Sequence, residues 1–298
     1  MKLFAQVIVV LILVTAPAVA QPRIRLGAWN IEHLGNPTNR PNQPTPANLA
    51  RYIIASEVDV LGLEEVTQDL AGRRNATLQR ALEIVEERTG EHWEHVLFQK
   101  SSQHQHIGVA WNTTRARRTQ GPLRIDVPAS MEGVSLWDRH PHAVKFSFGD
   151  QRTDIVVVVL HMKANTATNN SRNVRRRALE ARTLVAEFPV VRDATTDEDL
   201  VLIGDTNILR ASELAAQIYV GADLRDLNSE DEATFISASG PPFDRTFVPR
   251  QPEFANLDQV VFDTEFLNAI GITRETFRRR FSDHFMIVTE VRVTPDDD

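Results

Sequence analysis

The sequence predicts an α/β fold in which two β-sheets pack face to face with helices outside them. Three observations lead there. Strand-like apolar runs recur from one end of the chain to the other, and helical stretches are interspersed among them rather than collected at one end. The most hydrophobic run of the interior, "DIVVVVLHM" (154–162), is dominated by β-branched residues and lacks the alternation of a strand with one wet face, as a central strand covered on both sides would. No internal repeat and no linker-like composition interrupts the pattern.

Taken in order, "IRLGAWN" (24–30) reads as the first strand. "NPTNRPNQPTP" (36–46) is rich in Pro and Asn and reads as a loop that delivers Thr45 as a helix N-cap and Pro46 as the first helical residue, with the helix running to about Ser56. "VDVLGLEEV" (58–66) reads as a buried strand that ends in acid, and "NATLQRALEIVEERTG" (75–90) as an amphipathic helix with a glycine stop. "HIGVAWN" (106–112), "HAVKFSF" (142–148) and the run at 154–162 follow as strands, and "SRNVRRRALEARTLVAEF" (171–188) as a helix. "DLVLIGDTN" (199–207), "LDQVVFD" (257–263) and "FSDHFMIVTEVRV" (281–293) complete the strand set.

The chain has 298 residues, 42% apolar and 24% charged, an ordinary globular composition. Its first twenty residues, "MKLFAQVIVVLILVTAPAVA", carry one Lys, an apolar run from Val7 to Val14 and then Ala18-Val19-Ala20. That is the layout of a secretory leader, and the run is shorter than the roughly 20 residues a membrane span needs. The expectation is cleavage after Ala20 and a periplasmic or secreted protein. There are no cysteines, so disulfides are excluded and stability must come from the core, with or without a bound metal. The net charge of −7 gives no overall attraction to nucleic acid; a nucleic-acid substrate would need a local basic groove.

Five of the strands share a peculiarity: each is apolar and then meets a polar, chemically capable residue at one end. These are Asn30, the pair Glu64 and Glu65, His161, Asp205 with Asn207, and the pair Asp283 and His284. Any one of them has a plain structural explanation as a cap, a turn former or a core histidine. As a set they are harder to explain that way, because carboxylates at buried strand ends are costly unless paired or metal-bound. Strand alternation places Asp205 and Asn207 on one face with Thr206 turned away. Carboxylate oxygens suit Mg²⁺, Mn²⁺ or Ca²⁺, and two histidines supply acid–base groups near neutral pH. A metal with His, Asp and Asn is a set suited to attack of water on phosphorus.

At these residues the chain resembles the endonuclease/exonuclease/phosphatase superfamily, in its deoxyribonuclease I-like branch. The motifs that carry the resemblance are "WNIEHLG" (29–35), "LGLEEV" (61–66), "DRHPHAVKF" (138–146), "VVLHMKAN" (158–165), "VLIGDTN" (201–207), "LDQVVFD" (257–263) and "SDHFMIV" (282–288), in the family's order. Each is weak alone and the ordered set is strong. The resemblance implies a four-layered α/β/β/α sandwich, one catalytic domain over residues 21–298, and divalent-metal-dependent phosphodiester or phosphomonoester hydrolysis, with Mg²⁺ the expected ion. It implies Glu65 as metal ligand with Asn30 orienting it and Asp283 close by. It implies Asp205 and Asn207 as the groups that activate the nucleophile and hold the phosphate, His161 as a phosphate contact, and His284 as the acid–base residue with Asp258 as its orienting carboxylate. Arg139, followed by Pro141, matches an Arg-x-Pro phosphate contact. Three departures stand out. Thr206 replaces a family Phe. Gln105 and His106 stand where an acid often partners the first histidine. Glu32 occupies a position that is basic in some nucleases.

Basic clusters at 114–118, 172–177 and 274–281 are either solvated faces or a phosphate-lined groove, and Arg278, Arg279 and Arg280 lie nearest in sequence to the Asp283–His284 pair. The expected partner is therefore nucleic acid, with DNA the expected substrate and a monomer the default state. A phospholipid-type phosphoesterase and a catalytically dead binding domain are the competing readings. No Trp- or Phe-rich membrane hairpin is seen to favour the first, and the intact acid, Asn and His set disfavours the second.

Overall fold

The computed structural model describes residues 22–67, 74–98, 105–165 and 170–296, so the leader expected over residues 1–20 lies outside the described residues. In chain order the elements are β1 (Arg23–Leu34), α1 (Pro46–Ser56), β2 (Val60–Thr67), α2 (Ala76–Thr89), β3 (Trp93–Leu97), β4 (Gln105–Asn112), β5 (Arg117–Arg124), β6 (Ser130–Met131) and β7 (Val134–Ser135). They continue with β8 (His142–Ser147), β9 (Asp154–His161), α3 (Asn170–Ala186), α4 (Phe188–Thr195), β10 (Leu200–Asp205), α5 (Leu214–Gly221), β11 (Leu224–Asp226) and β12 (Asp244–Pro249). A short 3-10 turn at Pro252–Phe254 leads into β13 (Gln259–Val261), α6 (Thr264–Ala269), α7 (Arg274–Arg280) and β14 (Ile287–Arg292).

Two six-stranded sheets result, ordered β13-β14-β1-β2-β4-β3 and β11-β12-β10-β9-β8-β5, with β6 and β7 as a separate hairpin. Each sheet has one parallel pair at its centre, β1 with β2 and β9 with β10, among otherwise antiparallel neighbours. Alternation along β9 explains the layering. Ile155, Val157 and Val159 point into one apolar core shared with the first sheet and with Leu49 and Ile53 of α1 and Leu78 of α2. Val156, Val158 and Leu160 point the other way, onto Leu179 and Leu184 of α3 and Ala215 and Tyr219 of α5. The layers run helix, sheet, sheet, helix, as expected. β9 sits between β8 and β10 and is buried along nearly its whole length.

The helix starts follow their capping chemistry. Thr45 accepts from the Asn48 amide at the head of α1, with Pro46 inside, and Asn75 accepts from the Leu78 amide at the head of α2. The helix expected over 171–188 is α3, and a further short helix, α4, follows it directly. Pro189 explains the break, since its ring would collide with the carbonyl four residues back in an unbroken helix. The strand expected over 281–293 begins only at Ile287, because 281–284 is drawn off to β1: Ser282 Oγ donates to the Asn30 carbonyl, Trp29 Nε1 to the His284 carbonyl, and Arg40 Nη1 to the Phe281 carbonyl. Among the described residues no helix is long and apolar enough to cross a membrane.

One glycine fixes how closely the sheets meet beneath the polar end. Gly204 has φ of 137°, and a Cβ there would collide with the Leu160 carbonyl oxygen and with Oε1 of Glu64 on the opposite sheet. Gly204→Ala is therefore expected to cost at least about 1–3 kcal/mol from backbone strain. Urea unfolding of the variant beside wild type checks this, and an unchanged midpoint would show that the sheets have slack at this point.

Candidate active site

The polar residues singled out in the sequence gather where the central strands of both sheets end. Strand register does much of the placing. Asp205, the last residue of β10, lies directly opposite His161 on β9 and Asp244 on β12, so three chemically capable side chains share one rung. On the other sheet Asn30 pairs with Glu64, and the register then slips between Asn30 and Leu34 and between Leu63 and Val66. Glu65 sits at that slip with φ of 58°, a bulge that turns its side chain to the same rim.

Asn30 joins the two sheets. Its Nδ2 donates to Asp205 Oδ2 at 3.0 Å and to Glu65 Oε1 at 3.3 Å. His161 Nε2 approaches the same two carboxylates, 3.6 Å from Asp205 Oδ2 and 3.8 Å from Glu65 Oε1. The other Glu65 oxygen accepts from the His33 amide at 3.2 Å and from Gln105 Nε2 at 2.6 Å, and Arg139 donates to Gln105 Oε1. His284 Nδ1 is 2.9 Å from Asp244 Oδ2, which also accepts from Thr234 Oγ1 at 2.6 Å, and Nε2 of the same ring faces Asp205 Oδ2 at 3.9 Å. Phe235 stands edge-on to the His284 ring and limits its motion. Buried Glu180 of α3 accepts the Trp137 and Lys163 amides, each at 3.0 Å, tying together the segments that carry Arg139 and His161.

The electrostatics follow from this crowding. Burial, then the charges of Asp244 and Glu65, push the Asp205 carboxyl up to about 7 against the pull of His284 and Asn30. Burial alone would lower His284, but Asp244 and Asp205 outweigh it and hold its imidazolium well above the usual range. Burial and the neighbouring charges of Arg139 and His284 drive His161 well below it, so that ring is neutral. Its Nδ1 has no hydrogen-bond partner among the described residues: Gln105 is committed to Glu65 and His106 to the Phe98 carbonyl, so the missing acid noted in the sequence is not replaced. Glu64, sealed beneath Asp205 and Asp244, is raised well above the usual carboxylate range by burial first and by those two charges second.

The structure thus brings together Asn30, Glu65, His161, Asp205 and His284, with Arg139 one side chain removed. Asn207 arrives by a different route from the one expected. β10 stops at Asp205, and Asn207 lies in a left-handed turn (φ 53°) closed by its own amide on Asp205 Oδ1. It is the turn, not strand alternation, that returns it to the site, while Thr206 does turn away onto the Phe243 carbonyl. Asp283 is at the rim, 3.8 Å from Arg278. Arg278 is 2.6 Å from Glu32, and with Arg279 it lines an adjoining groove, whereas Arg280 is exposed and is not among the residues lining it. Asp258 requires a correction. It is exposed and lines a separate depression with Gln217 and Arg250, because it precedes the inward-facing Gln259 and so points outward. The carboxylate that orients His284 is Asp244. Sequence reading misses it because "PPFDRTFVP" (241–249) is bounded by prolines and has three successive polar residues at its centre, yet Asp244, Arg245 and Thr246 are all fully buried in β12.

Glu65 and Asp205, which converge on Asn30 and His161, form a donor set that fits a hard divalent cation. Asp205, Asp244 and His284 also each offer an atom within 4.8 Å of the others, a set open to a cation only when His284 gives up its proton. The Asp205 carboxyl is raised by burial first and by Asp244 and Glu65 after it, and a bound cation would favour its ionised form.

Comparison with known proteins agrees with this architecture. A model of the Endonuclease/Exonuclease/phosphatase family matches residues 27–284. Among solved structures, the human Nocturnin catalytic domain with bound sulfate anion is 17% identical at a TM-score of 0.61, covering 92% of this chain and 96% of that one. An endonuclease/exonuclease/phosphatase from Bacteroides vulgatus is 13% identical at 0.60, covering 92% and 100%. D. rerio TDP2 complexed with single strand DNA product is 15% identical at 0.58, covering 91% and 99%. At these identities the likeness is one of fold. A comparison with curated proteins found no match.

Replacing Asp244 with Asn removes the charge that holds His284 protonated. The His284 pKa, followed by NMR in metal-free protein, is expected to fall toward the ordinary range. Because the wild-type folded pKa is raised, the stabilisation is fully present below the unfolded value and is lost as pH rises through the folded one. The stability gap between wild type and Asp244→Asn, about 1–3 kcal/mol for a hydrogen bond to a charged group, should therefore be widest near about pH 6 and narrow at alkaline pH. A gap that widens with pH would contradict the pairing.

Proposed function

The chain belongs to the endonuclease/exonuclease/phosphatase family, and on that premise we propose that it is an exported, divalent-metal-dependent phosphodiesterase that cuts DNA as an endonuclease with little sequence preference. The observation that carries the reading is the convergence of Asn30, Glu65, His161, Asp205 and the Asp244–His284 pair, from both sheets, on one rim.

Each group has a task consistent with its surroundings. A divalent ion, Mg²⁺ in this reading, held by Glu65 with help from Asn30 and Asp205, would neutralise phosphate charge. Asp205 is placed to take up and orient the attacking water. His284, held as imidazolium by Asp244, would give the proton that the leaving oxygen takes up, the two carboxylates keeping its ring in one orientation. Neutral His161 would act through hydrogen bonding, and in this reading Arg139, together with Asn207 once its Nδ2 leaves the Met162 carbonyl, would hold phosphate oxygens. The preference for nucleic acid is supported by the arginine-lined groove beside the rim, in a chain whose net charge is −7, and by the DNA-bound TDP2 relative of the same fold. The leader-like residues 1–20 are the reason for proposing a periplasmic or extracellular setting.

The test is nicking of supercoiled plasmid with a panel of divalent ions, with and without EDTA, beside a sphingomyelin hydrolysis assay. Nicking that needs a divalent ion is the expected result. His284→Ala and Asp205→Ala should each lower it by about 10²–10⁴-fold or more while leaving the circular dichroism unchanged. Hydrolysis of sphingomyelin alone would move the chain to the phospholipid branch, and full activity in either variant would refute the site assignment.

A further inference from the structure

Beside the rim is a groove of about 780 Å³ whose chemistry the hydrolytic centre does not use. It runs between the loop that carries Arg40 and the face of α7 that carries Arg274, Arg278 and Arg279, with Ile236 between them. Four guanidinium groups line it against two carboxylates, Glu32 and Glu275, so it is locally positive in a chain that is acidic overall.

These charges are not equivalent. Glu32 is shared, 2.6 Å from Arg278 and 3.3 Å from Arg40, and Arg40 is locked in place by the Ile31, Glu32 and Phe281 carbonyls while its Nη2 has no partner among the described residues. These two arginines set the potential and the shape of the wall. The other two are available. Arg279 makes no ion pair or hydrogen bond among the described residues, and Arg274 spends a single donor on the Ser237 carbonyl. A guanidinium that lines a groove with its donors unspent is a ready phosphate ligand.

The groove is also joined to the hydrolytic centre. Its floor residue Glu32 donates its amide to Asn30 Oδ1 at 3.0 Å, Arg278 reaches toward Asp283 beside His284, and Ile236 donates its amide to the Asp283 carbonyl at 2.7 Å. A chain leaving the rim on the Asn30–Asp283 side therefore enters the groove.

We propose that this groove is a subsite for a second, non-scissile phosphate of a nucleic-acid strand, held by Arg274 and Arg279. The proposal rests on the phosphodiesterase reading of the neighbouring rim and deepens it: the substrate is a strand with phosphates on both sides of the bond cut, and a ligand with one phosphodiester would leave the subsite empty. The contacts are to backbone phosphate, so they set register on the strand and carry no base preference.

The test is binding, in EDTA, of a fluorescein-labelled short oligothymidylate by fluorescence anisotropy across a salt series, using the full chain. The double variant Arg274→Glu with Arg279→Glu should weaken binding at low salt at least tenfold and reduce the slope of log K against log salt by about 0.7 for each phosphate that is no longer neutralised. Glu275→Lys, which adds positive charge to the same wall, should tighten binding several-fold, an outcome that misfolding cannot imitate. Unchanged affinity and slope in the double variant, or no gain in Glu275→Lys, would overturn the subsite. A double variant that no longer binds vesicles containing phosphatidylinositol 4,5-bisphosphate, yet binds oligothymidylate as wild type does, would overturn it in favour of a lipid surface. Turnover of bis(4-nitrophenyl) phosphate, measured in parallel with a divalent ion, separates the two readings. Wild type that binds the strand yet does not turn over the diester sinks the enzymatic reading and leaves the groove standing, whereas turnover with groove variants that bind the strand as wild type does would do the reverse.

Discussion

Buried negative charge is the constraint around which the rest of this molecule is arranged. Glu64, Asp205 and Asp244 are at most 2% exposed, Glu65 is only half-buried beside them, and His284 is held among them as imidazolium. Removing carboxylates from water costs several kcal/mol each unless charge or hydrogen bonds compensate. The protein compensates in pieces: Asp244 is paired with His284 and Thr234, Asp205 with the Asn30 amide, and Glu65 with Gln105 and the His33 amide, while Glu64 is left as a carboxyl well above its usual pKa. The balance is still negative, and a hard cation together with a phosphate is the natural complement to it.

The fold makes that arrangement possible at several points at once. Both sheets bring a central parallel pair to the same edge, so the ends of β1, β2, β9 and β10 meet without long loops. The register slip at Glu65, the left-handed turn at Asn207 and the positive φ of Gly204 are each local departures from regular structure, and all three lie at this edge. Strain of this kind persists only where surrounding structure enforces it. Here the enforcement comes from the apolar core between the sheets and from the bonds that tie 281–284 back to β1.

Much of this is legible in the sequence, and for a physical reason. Buried strands with one polar end are costly unless the polar end has a use, so Asn30, Glu65, His161, Asp205 and His284 stand out against their apolar runs. The caps at Thr45 and Asn75 are legible because a side-chain oxygen before a periodic stretch has few other roles. What stays hidden depends on tertiary context. Asp244 sits in a short strand that reads as a proline-bounded loop, and its partnership with His284 spans forty residues that no local pattern connects. Asp258 has the better local motif and yet points outward. Arg40 is an arginine in a Pro- and Asn-rich loop, and only its burial against three carbonyls shows that it forms a wall of the groove. Gln105 is visible in the sequence as a departure from the family pattern, but its task, bridging Arg139 to Glu65, emerges only when β4 is placed beside β2.

The central claim is that Asp205 and its neighbours form a carboxylate cluster short of positive charge. Isothermal titration of metal-free protein with Mn²⁺ near about pH 7, in two buffers of different ionisation enthalpy, tests it most directly, because a cation that binds a carboxyl titrating at about 7 must displace protons. Binding that releases a substantial fraction of a proton in wild type, and both weakens and loses that release in Asp205→Asn, is the predicted result. Mn²⁺ binding that is the same in the variant, or that is proton-neutral in wild type, would contradict it.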